Sequence, residues 1–325
     1  MSSIIVRVFL SDGSSGEGEI PTSFSIKEES IQIIHKALRE ITPPLVGVPI
    51  DHYPERIKEL RMRMPHLPMT AAGLETALFR SRLKKAGISE FDYWGARLPG
   101  IKTDITIPFL EDPAELHAWM DSILKGRFRE LKVKISGNIE QDMRILNYIC
   151  TFIKEKDDGF KVRLDGNQGY REKSFLRLMD WCEKKRFRIE LVEQPLLKDD
   201  LKGLRRIRKR LSIPVILDES VFRLSDLERA LEEDCCDGVN IKIAKSGISE
   251  SEKIMEMARR NNLKLMIGCM TESMIGLSAA IFMAAGSGNF DYIDLDSVFF
   301  IRHRSRYGPI TVRRPGFEIG SLHGY

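Results

Sequence analysis

Two hydrophobic patterns alternate along the chain from about residue 101 onward. Short runs rich in β-branched and aliphatic residues predict strands, and amphipathic segments such as 140–154, 172–183 and 250–260 predict the helices between them. The predicted strands are residues 105–107, 131–135, 162–165, 189–193, 214–218, 239–242, 265–268 and 292–294. Their ends recur every 24 to 31 residues. Eight such βα units predict an α/β fold with a TIM-type (β/α) barrel.

The first hundred residues follow a different pattern. Residues 4–10 alternate between apolar and polar, and the turn-rich stretch 11–18 follows, which predicts a hairpin. Helical patterns then cover about 26–40, 54–63 and 71–85. The chain is therefore predicted to form an N-terminal α+β capping domain at 1–100 and a barrel catalytic domain at 101–303. The remaining segment, 304–325, is predicted to return to the capping domain.

Composition predicts a soluble globular protein, because 42% of the 325 residues are apolar and 30% are charged. No apolar run approaches the roughly 18 residues of a membrane span, and the first residues do not resemble a signal peptide. The five cysteines are odd in number and lack a CxxC spacing, which argues against a disulfide framework or a zinc knuckle. They predict reduced thiols and a cytoplasmic location.

The net charge of +4 is modest, but basic residues concentrate at 202–210. Leu201, Leu204, Ile207 and Leu211 recur through this segment at helical spacing. The basic residues are therefore interpreted as the solvated face of an amphipathic helix, and no nucleic-acid partner is predicted.

Carboxylates end three successive predicted strands: Asp165, Glu193 and Asp218. Barrel enzymes carry their chemistry at these carboxyl ends, and magnesium prefers oxygen ligands. Each carboxylate could instead cap the helix that follows it. Three of them in consecutive units, bracketed by lysines, favour a magnesium site.

Lysines lie on both sides of these carboxylates in the chain. Lys132 and Lys134 share one face of the second barrel strand because strand side chains alternate, and Lys242 ends the sixth strand. Two lysines on opposite sides of a metal could remove a proton from either face of a carbon. A neighbouring ammonium and the metal would favour the neutral amine that a base requires. Alternatively, Lys134 and Lys242 are structural partners of the carboxylates.

Five motifs occur in a recognisable order: LKVKIS, RLDGNQGY, LVEQPL, PVILDES and VNIKIAKSGI. With the preceding AAGLETALFRSRLKKAGI, they make the chain resemble the enolase superfamily, within its muconate-cycloisomerase-like subgroup. The resemblance implies that Lys134 and Lys242 are acid/base catalysts. It also implies that Asp165, Glu193 and Asp218 bind magnesium, which stabilises an enolate.

The end of the eighth strand, Asp294-Leu295-Asp296, resembles the signature of dipeptide epimerases of the alanine–glutamate type. In these enzymes the paired aspartates hold the ammonium group of a dipeptide; alternatively, this pair only ends the strand and caps the next segment. The same resemblance assigns Lys132 and Thr106 to the substrate carboxylate. It places Met270 in the pocket wall, although a shift by one residue would place Cys269 there, and makes Glu272 a second polar contact.

The resemblance departs at the start of the chain, which is expected to lack the family's first strand and the mobile loop that covers the site. Either the chain is truncated, or the protein closes its site in another way. The leading hypothesis is nevertheless a magnesium-dependent isomerase that epimerises a dipeptide by exchanging the α-proton of its C-terminal residue. A cycloisomerase, or a dehydratase such as o-succinylbenzoate synthase, would use the same centre. A third hypothesis is a non-catalytic ligand-binding barrel. The sequence leaves a homo-oligomer open and indicates neither a nucleic-acid nor a membrane partner.

Overall fold

The computed structural model describes residues 2–22, 28–110, 112–156, 159–302 and 306–320. The strands are β1 (Ser3–Phe9), β2 (Ser15–Pro21), β3 (Gly100–Lys102), β4 (Ile105–Ile107), β5 (Glu130–Lys134), β6 (Lys161–Asp165), β7 (Ile189–Glu193), β8 (Val215–Leu217), β9 (Gly238–Ile241), β10 (Lys264–Gly268), β11 (Tyr292–Asp294), β12 (Arg306–Tyr307), β13 (Ile310–Arg313) and β14 (Gly316–Ile319). The helices are α1 (Ile31–Ile41), α2 (Tyr53–Arg63), α3 (Pro68–Ala86), α4 (Glu90–Tyr93), α5 (Pro113–Lys125), α6 (Ile139–Lys156), α7 (Glu172–Lys184), α8 (Leu201–Arg210), α9 (Leu224–Glu232), α10 (Ile243–Arg260) and α11 (Met274–Ser287). Short 3-10 helices cover Pro43–Leu45, Ile50–His52 and Ser297–Phe299.

The strands form three sheets. β1 and β2 pair antiparallel, and β4 to β11 form one eight-stranded sheet in chain order, parallel from β4 through β9. β12, β13, β14 and β3 form the third sheet. All eight predicted barrel strands are present, each within one residue of its predicted ends. Asp218 and Lys242 lie just beyond β8 and β9, where the backbone leaves the sheet.

The chain divides into two compact units. Unit 1 comprises Met1–Ile101, Ile241–Met255 and Ile267–Tyr325, and unit 2 comprises Lys102–Asn240 and Glu256–Met266. The domain boundaries predicted at 100/101 and 303/304 stay predictions. In unit 1, the backbone N–H of Ile319 on β14 donates to the carbonyl of Pro99 at 2.7 Å, so β14 contacts the segment just before β3.

The hairpin of unit 1 corrects one prediction. Residues 15–18, expected to belong to the turn, instead begin β2. Two glycines in this stretch allow the backbone of α3 to approach the strand. A Cβ atom added to Gly18 would lie 1.9 Å from the carbonyl oxygen of Gly73, and one added to Gly16 would lie 2.4 Å from that of Ala77. The glycines therefore serve close packing rather than chain reversal.

Buried glutamates stabilise the N-termini of two helices in unit 1. Glu29 accepts hydrogen bonds from the backbone N–H groups of Met69 and Thr70, both at 2.7 Å, at the start of α3. Glu19 accepts from the N–H groups of Ser273 and Gly276, both at 3.0 Å, at the start of α11. These N–H groups have no partner inside their helices, so the carboxylates satisfy them. Burial raises the pKa of Glu29.

Helix boundaries follow the predictions less closely than strand boundaries do. α1 begins at Ile31 after the N-cap Ser30, whereas the pattern predicted a start near residue 26; residues 26 and 27 lie outside the described part of the chain. α10 was predicted at 250–260 but begins at Ile243, with non-helical backbone at Gly247. No helix in the described ranges is long and apolar enough to cross a membrane.

The basic segment of unit 2 forms α8, as predicted, with Leu204 and Ile207 buried. Its arginines form ion pairs with neighbouring carboxylates: Arg206 with Glu172 at 2.7 Å, Arg208 with Asp237 at 2.9 Å and Arg210 with Asp180 at 3.1 Å. The amphipathic-helix interpretation is confirmed.

The five cysteines are free thiols, as predicted. Cys150, Cys182, Cys235 and Cys236 are buried, and Cys269 is half-buried. Burial raises the pKa of Cys150 and of Cys182 to about 12, so these two thiols stay protonated at neutral pH.

Candidate active site

Charged residues of unit 2 stand in a row across three neighbouring strands. Lys134 at the end of β5 is in register with Asp165 at the end of β6, which is in register with Glu193 at the end of β7. Lys132 precedes Lys134 by two residues and therefore shares its face of the sheet. Asp165 and Glu193 are both fully buried. The pairing of the strands alone therefore places Lys134, Asp165 and Glu193 side by side across the sheet.

The side chains of this row contact one another. The Nζ of Lys134 donates to Asp165 Oδ2 and to Asn167 Oδ1, each at 2.6 Å. The Nζ of Lys132 lies 3.5 Å from the same Asp165 oxygen and 3.8 Å from Glu193 Oε2. Two ammonium groups therefore adjoin two buried carboxylates, and the positive charges offset part of the cost of burying the negative ones.

Asp218, 3% exposed, is fixed through Gln194. The buried Gln194 side chain accepts at Oε1 from the backbone N–H of Asp218 at 3.0 Å and of Ser220 at 3.1 Å. Its Nε2 donates to the Ser220 hydroxyl at 2.8 Å and to the carbonyl of Leu196 at 3.1 Å. One amide therefore joins the loop after β7 to the loop after β8.

Asn240 positions the second carboxylate of the row. Its Nδ2 donates to Glu193 Oε1 at 2.7 Å, and the residue is fully buried on β9. Asn167 positions Asp165, because its backbone N–H donates to Asp165 Oδ1 at 3.1 Å. Hydrogen bonds from uncharged donors therefore hold both carboxylates in place.

Unit 1 carries a second group of charged residues. Lys242, directly after β9, is 6% exposed, and Asp294 and Asp296 are 1% and 5% exposed at the end of β11. Burial raises the pKa of the Cys269 thiol well above its usual value, and the charges of Asp294 and Asp296 raise it further. The predicted aspartate pair is therefore buried, close enough to Cys269 to act on its thiol.

Glu272 belongs to the same group. Burial raises its pKa to about 8, and the nearby carboxylate of Glu19 adds to the increase. The backbone N–H of Met270, which donates to Glu272 Oε2 at 3.0 Å, and the charge of Lys242 act in the opposite direction. The raised pKa favours the neutral acid of Glu272 at pH 7.

The remaining predicted substrate residues are half-buried. Thr106 lies on β4 in register with Lys132, and its carbonyl accepts a hydrogen bond from the indole N–H of Trp119 at 3.2 Å. Met270 lies in the segment between β10 and α11, and its side chain is half-buried.

Comparison with known proteins decides the family. Residues 115–324 match the family model described as enolase C-terminal domain-like, which is more than half of the chain. The chain belongs to the enolase superfamily. The resemblance stated from the motifs is confirmed.

Similar members of the superfamily span nearly the whole chain. The L-Ala-D/L-Glu epimerase of Thermotoga maritima is 31% identical over 318 residues, which cover 97% of this chain and 89% of that protein. The substrate-liganded structure of the L-Ala-D/L-Glu epimerase from Bacillus subtilis superimposes with a TM-score of 0.89 at 31% identity, covering 98% of this chain and 88% of the other. A dipeptide epimerase from Enterococcus faecalis, complexed with magnesium and L-Leu-L-Tyr, gives 0.86 at 26% identity, covering 98% and 89%.

These similarities confirm two predictions. The fold is the TIM-type barrel with an α+β capping domain that the enolase superfamily shares. The enzyme class is an isomerase, because the similar curated members are named epimerases.

Three carboxylates of unit 2 have the chemistry that a divalent metal prefers in its ligands. Asp165, Glu193 and Asp218 offer carboxylate oxygens only, which suits magnesium, and all three are at least nine-tenths buried. Gln194 and Asn240 fix the surrounding backbone and side chain, as supporting residues do around metal ligands. The roles of the three carboxylates nevertheless stay predictions.

Two supporting residues of this candidate site, Gln194 and Asn240, were not predicted from the sequence. Asn240 precedes Lys242 by two positions, the same alternation that identified Lys132 and Lys134, so its pattern was visible. Gln194 gave no periodic signal, because its amide reaches a second loop from a backbone with a positive φ of 32°.

Proposed function

We propose that the chain catalyses the magnesium-dependent epimerisation of a dipeptide, by removing and returning the α-proton of the C-terminal residue. The observation that carries the proposal is the row formed by Lys134 and the buried Asp165 and Glu193, with Lys132 beside it. This row combines a proton-transfer group with oxygen ligands for a metal. The names of the similar epimerases support the choice of reaction.

Asp165, Glu193 and Asp218 would hold the magnesium ion. When bound, the ion would supply positive charge that stabilises the negative charge developing on the substrate carboxylate. Gln194 and Asn240 would keep the ligands oriented through the hydrogen bonds described above.

Lys134 and Lys242 would transfer the proton at the α-carbon. One lysine, as the neutral amine, would take the proton from its face of the carbon, and the ammonium of the other would return a proton from the opposite face. Asp165 and Asn167 fix the direction of Lys134 Nζ. Lys132 and Thr106 would hold the substrate carboxylate.

Asp294 and Asp296 would bind the free ammonium group of the dipeptide. Burial and the charges of this pair raise the pKa of the nearby Cys269 thiol, so further negative charge is disfavoured there. The same charges favour a cation. A dipeptide carries both a carboxylate and an ammonium group.

Exchange with deuterated water tests this proposal. The purified protein, supplied with magnesium and a panel of dipeptides, should replace the α-proton of the C-terminal residue by deuterium, measured by proton NMR. Lys134→Ala and Lys242→Ala should each abolish epimerisation and block exchange from one face of the carbon. Exchange that persists in the double variant would end the hypothesis.

Asp296→Asn separates this function from a cycloisomerase or dehydratase that uses the same centre. A dipeptide needs the negative charge at this position, so kcat/KM should fall on the order of 100-fold, the effect of losing a buried charged partner. A substrate without an ammonium group should react at an almost unchanged rate. Magnesium binding without exchange on any dipeptide would indicate a non-catalytic barrel instead.

A further inference from the structure

The backbone directly after Lys242 turns sharply. α10 begins at Ile243, but Gly247 interrupts it with φ 73° and ψ −178°. The residues before this kink form a single turn on the carbonyl of Lys242, which accepts hydrogen bonds from the N–H groups of Lys245 and Ser246, both at 3.0 Å. The orientation of the Lys242 backbone is therefore coupled to the position of this turn.

A half-buried arginine of α2 and a buried glutamate of α3 hold the kink. Arg61 Nη2 donates to the carbonyl of Ser246 at 2.6 Å and to Glu75 Oε2 at 3.0 Å. Glu75 Oε1 accepts from the N–H of Ser249 at 2.9 Å and from the Ser249 hydroxyl. Arg61 thus binds the backbone before Gly247, and Glu75 binds the backbone after it.

The ion pair packs directly against the backbone of Gly247. A Cβ atom added to Gly247 would lie 2.1 Å from Glu75 Oε2 and 2.2 Å from Arg61 Nη2. The side chains of Arg61 and Glu75 are 11% and 0% exposed. A positive φ and a contact this close both require glycine at this position.

We propose that Arg61 and Glu75 are positioning residues for Lys242. A buried ion pair adds little net stability, because the cost of removing both charges from water offsets their attraction. Stability alone therefore does not explain this pair. Here the pair binds the backbone on both sides of the turn that follows Lys242. Lys134 is oriented by a different set, Asp165 and Asn167. This inference rests on the proposed function, in which each lysine serves one face of the substrate.

Lys134 and Lys242 have different supporting residues. The inference therefore predicts that a change near Lys242 affects one epimer of the substrate and not the other. α-Proton exchange in deuterated water is measured separately on the two epimers of one dipeptide, and Lys242→Ala identifies the epimer whose exchange requires Lys242. Glu75→Gln and Gly247→Ala should slow exchange of that epimer on the order of 10- to 100-fold, the effect of a displacement of about 1 Å. Exchange of the other epimer should change less than about twofold.

Graded variants separate positioning from folding. Arg61→Lys retains a donor for the Ser246 carbonyl and should retain more exchange of the Lys242-dependent epimer than Arg61→Met. Ser249→Ala removes only the hydroxyl donor to Glu75 and should have a smaller effect than Glu75→Gln. Far-ultraviolet circular dichroism and the thermal midpoint confirm that each variant is folded before its exchange rates are compared.

The matched control is Glu90→Gln. Glu90 pairs with Arg80 at 2.9 Å, and these side chains are 9% and 11% exposed, so the change removes a charge of similar burial from unit 1. It should affect both epimers equally. If folded Glu75→Gln also affects both epimers equally, or neither, the inference is overturned while the proposed function stands. A wild-type protein that exchanges no dipeptide would overturn both.

Discussion

Replacing Glu272 by glutamine tests the buried charges of unit 1. Glu272 is 5% exposed and has a pKa of about 8, raised by burial and by the carboxylate of Glu19, with Lys242 and Arg80 acting in the opposite direction. The ordinary value is 4.5. Between these two values the folded protein binds a proton that the unfolded chain has released. Stability contributed by the neutral acid is therefore complete below pH 4.5 and is lost as the pH rises through 8.

The magnitude follows from the two pKa values. A group that is protonated only in the folded state changes the free energy of unfolding by about 1.4 kcal/mol per pH unit. From pH 6 to pH 8 the expected loss from Glu272 is about 2 kcal/mol, because at pH 8 the group is half ionised in the folded protein as well. Glutamine keeps the neutral shape and does not titrate. The variant should lack this part of the pH dependence.

Urea unfolding at pH 6 and at pH 8, in the same magnesium concentration, measures the effect. The wild-type protein should lose about 2 kcal/mol more than Glu272→Gln between the two values. Glu183→Gln, at an exposed position on α7, serves as the control and should follow the wild type. Parallel losses in the wild type and in Glu272→Gln would refute the reasoning, because Glu272 would then be ionised in the folded protein at both pH values.

Three further predictions concern the supporting structure. Gln194→Leu should weaken magnesium binding by about 10- to 100-fold in isothermal calorimetry, because it frees the loop after β8; unchanged affinity would contradict this role. Gly18→Ala should lower the free energy of unfolding by about 1–3 kcal/mol, since its methyl group would overlap the Gly73 carbonyl, and a neutral result would show that α3 can shift. Arg163→Met should cost about 3–5 kcal/mol in urea unfolding, because Arg163 donates to the buried Asp104 at 2.8 Å; stability equal to the wild type would contradict this cost.

Sequence patterns were sufficient for the barrel strands and for much of the candidate site. Short apolar runs bounded by polar residues identified every barrel strand, because the interiors of these strands are apolar and buried. Side-chain alternation placed Lys132 beside Lys134, and the βα repeat placed Asp165 and Glu193 on adjacent strands. Both signals are local, so they can be read without the tertiary structure.

Features that depend on contacts between residues far apart in the sequence were not predicted from the patterns. Gly16 and Gly18 suggested a turn because their true role, close approach of α3, involves residues far along the chain. The start of α10 was missed because its kink at Gly247 is held by side chains of α2 and α3. Gln194 shows no periodicity and acts across two loops. In each case the partner is remote in sequence.

The register that joins Lys134, Asp165 and Glu193 also affects how the protein should fail on heating. Their Cα atoms are spaced by hydrogen-bonded strands, about 4.8 Å apart, rather than by the packing of flexible loops. Loosening of surface helices would leave this spacing unchanged. The lysine–carboxylate row should therefore be lost when the backbone amides of β5, β6 and β7 lose their protection from hydrogen exchange. Inactivation should follow the cooperative melting of these strands.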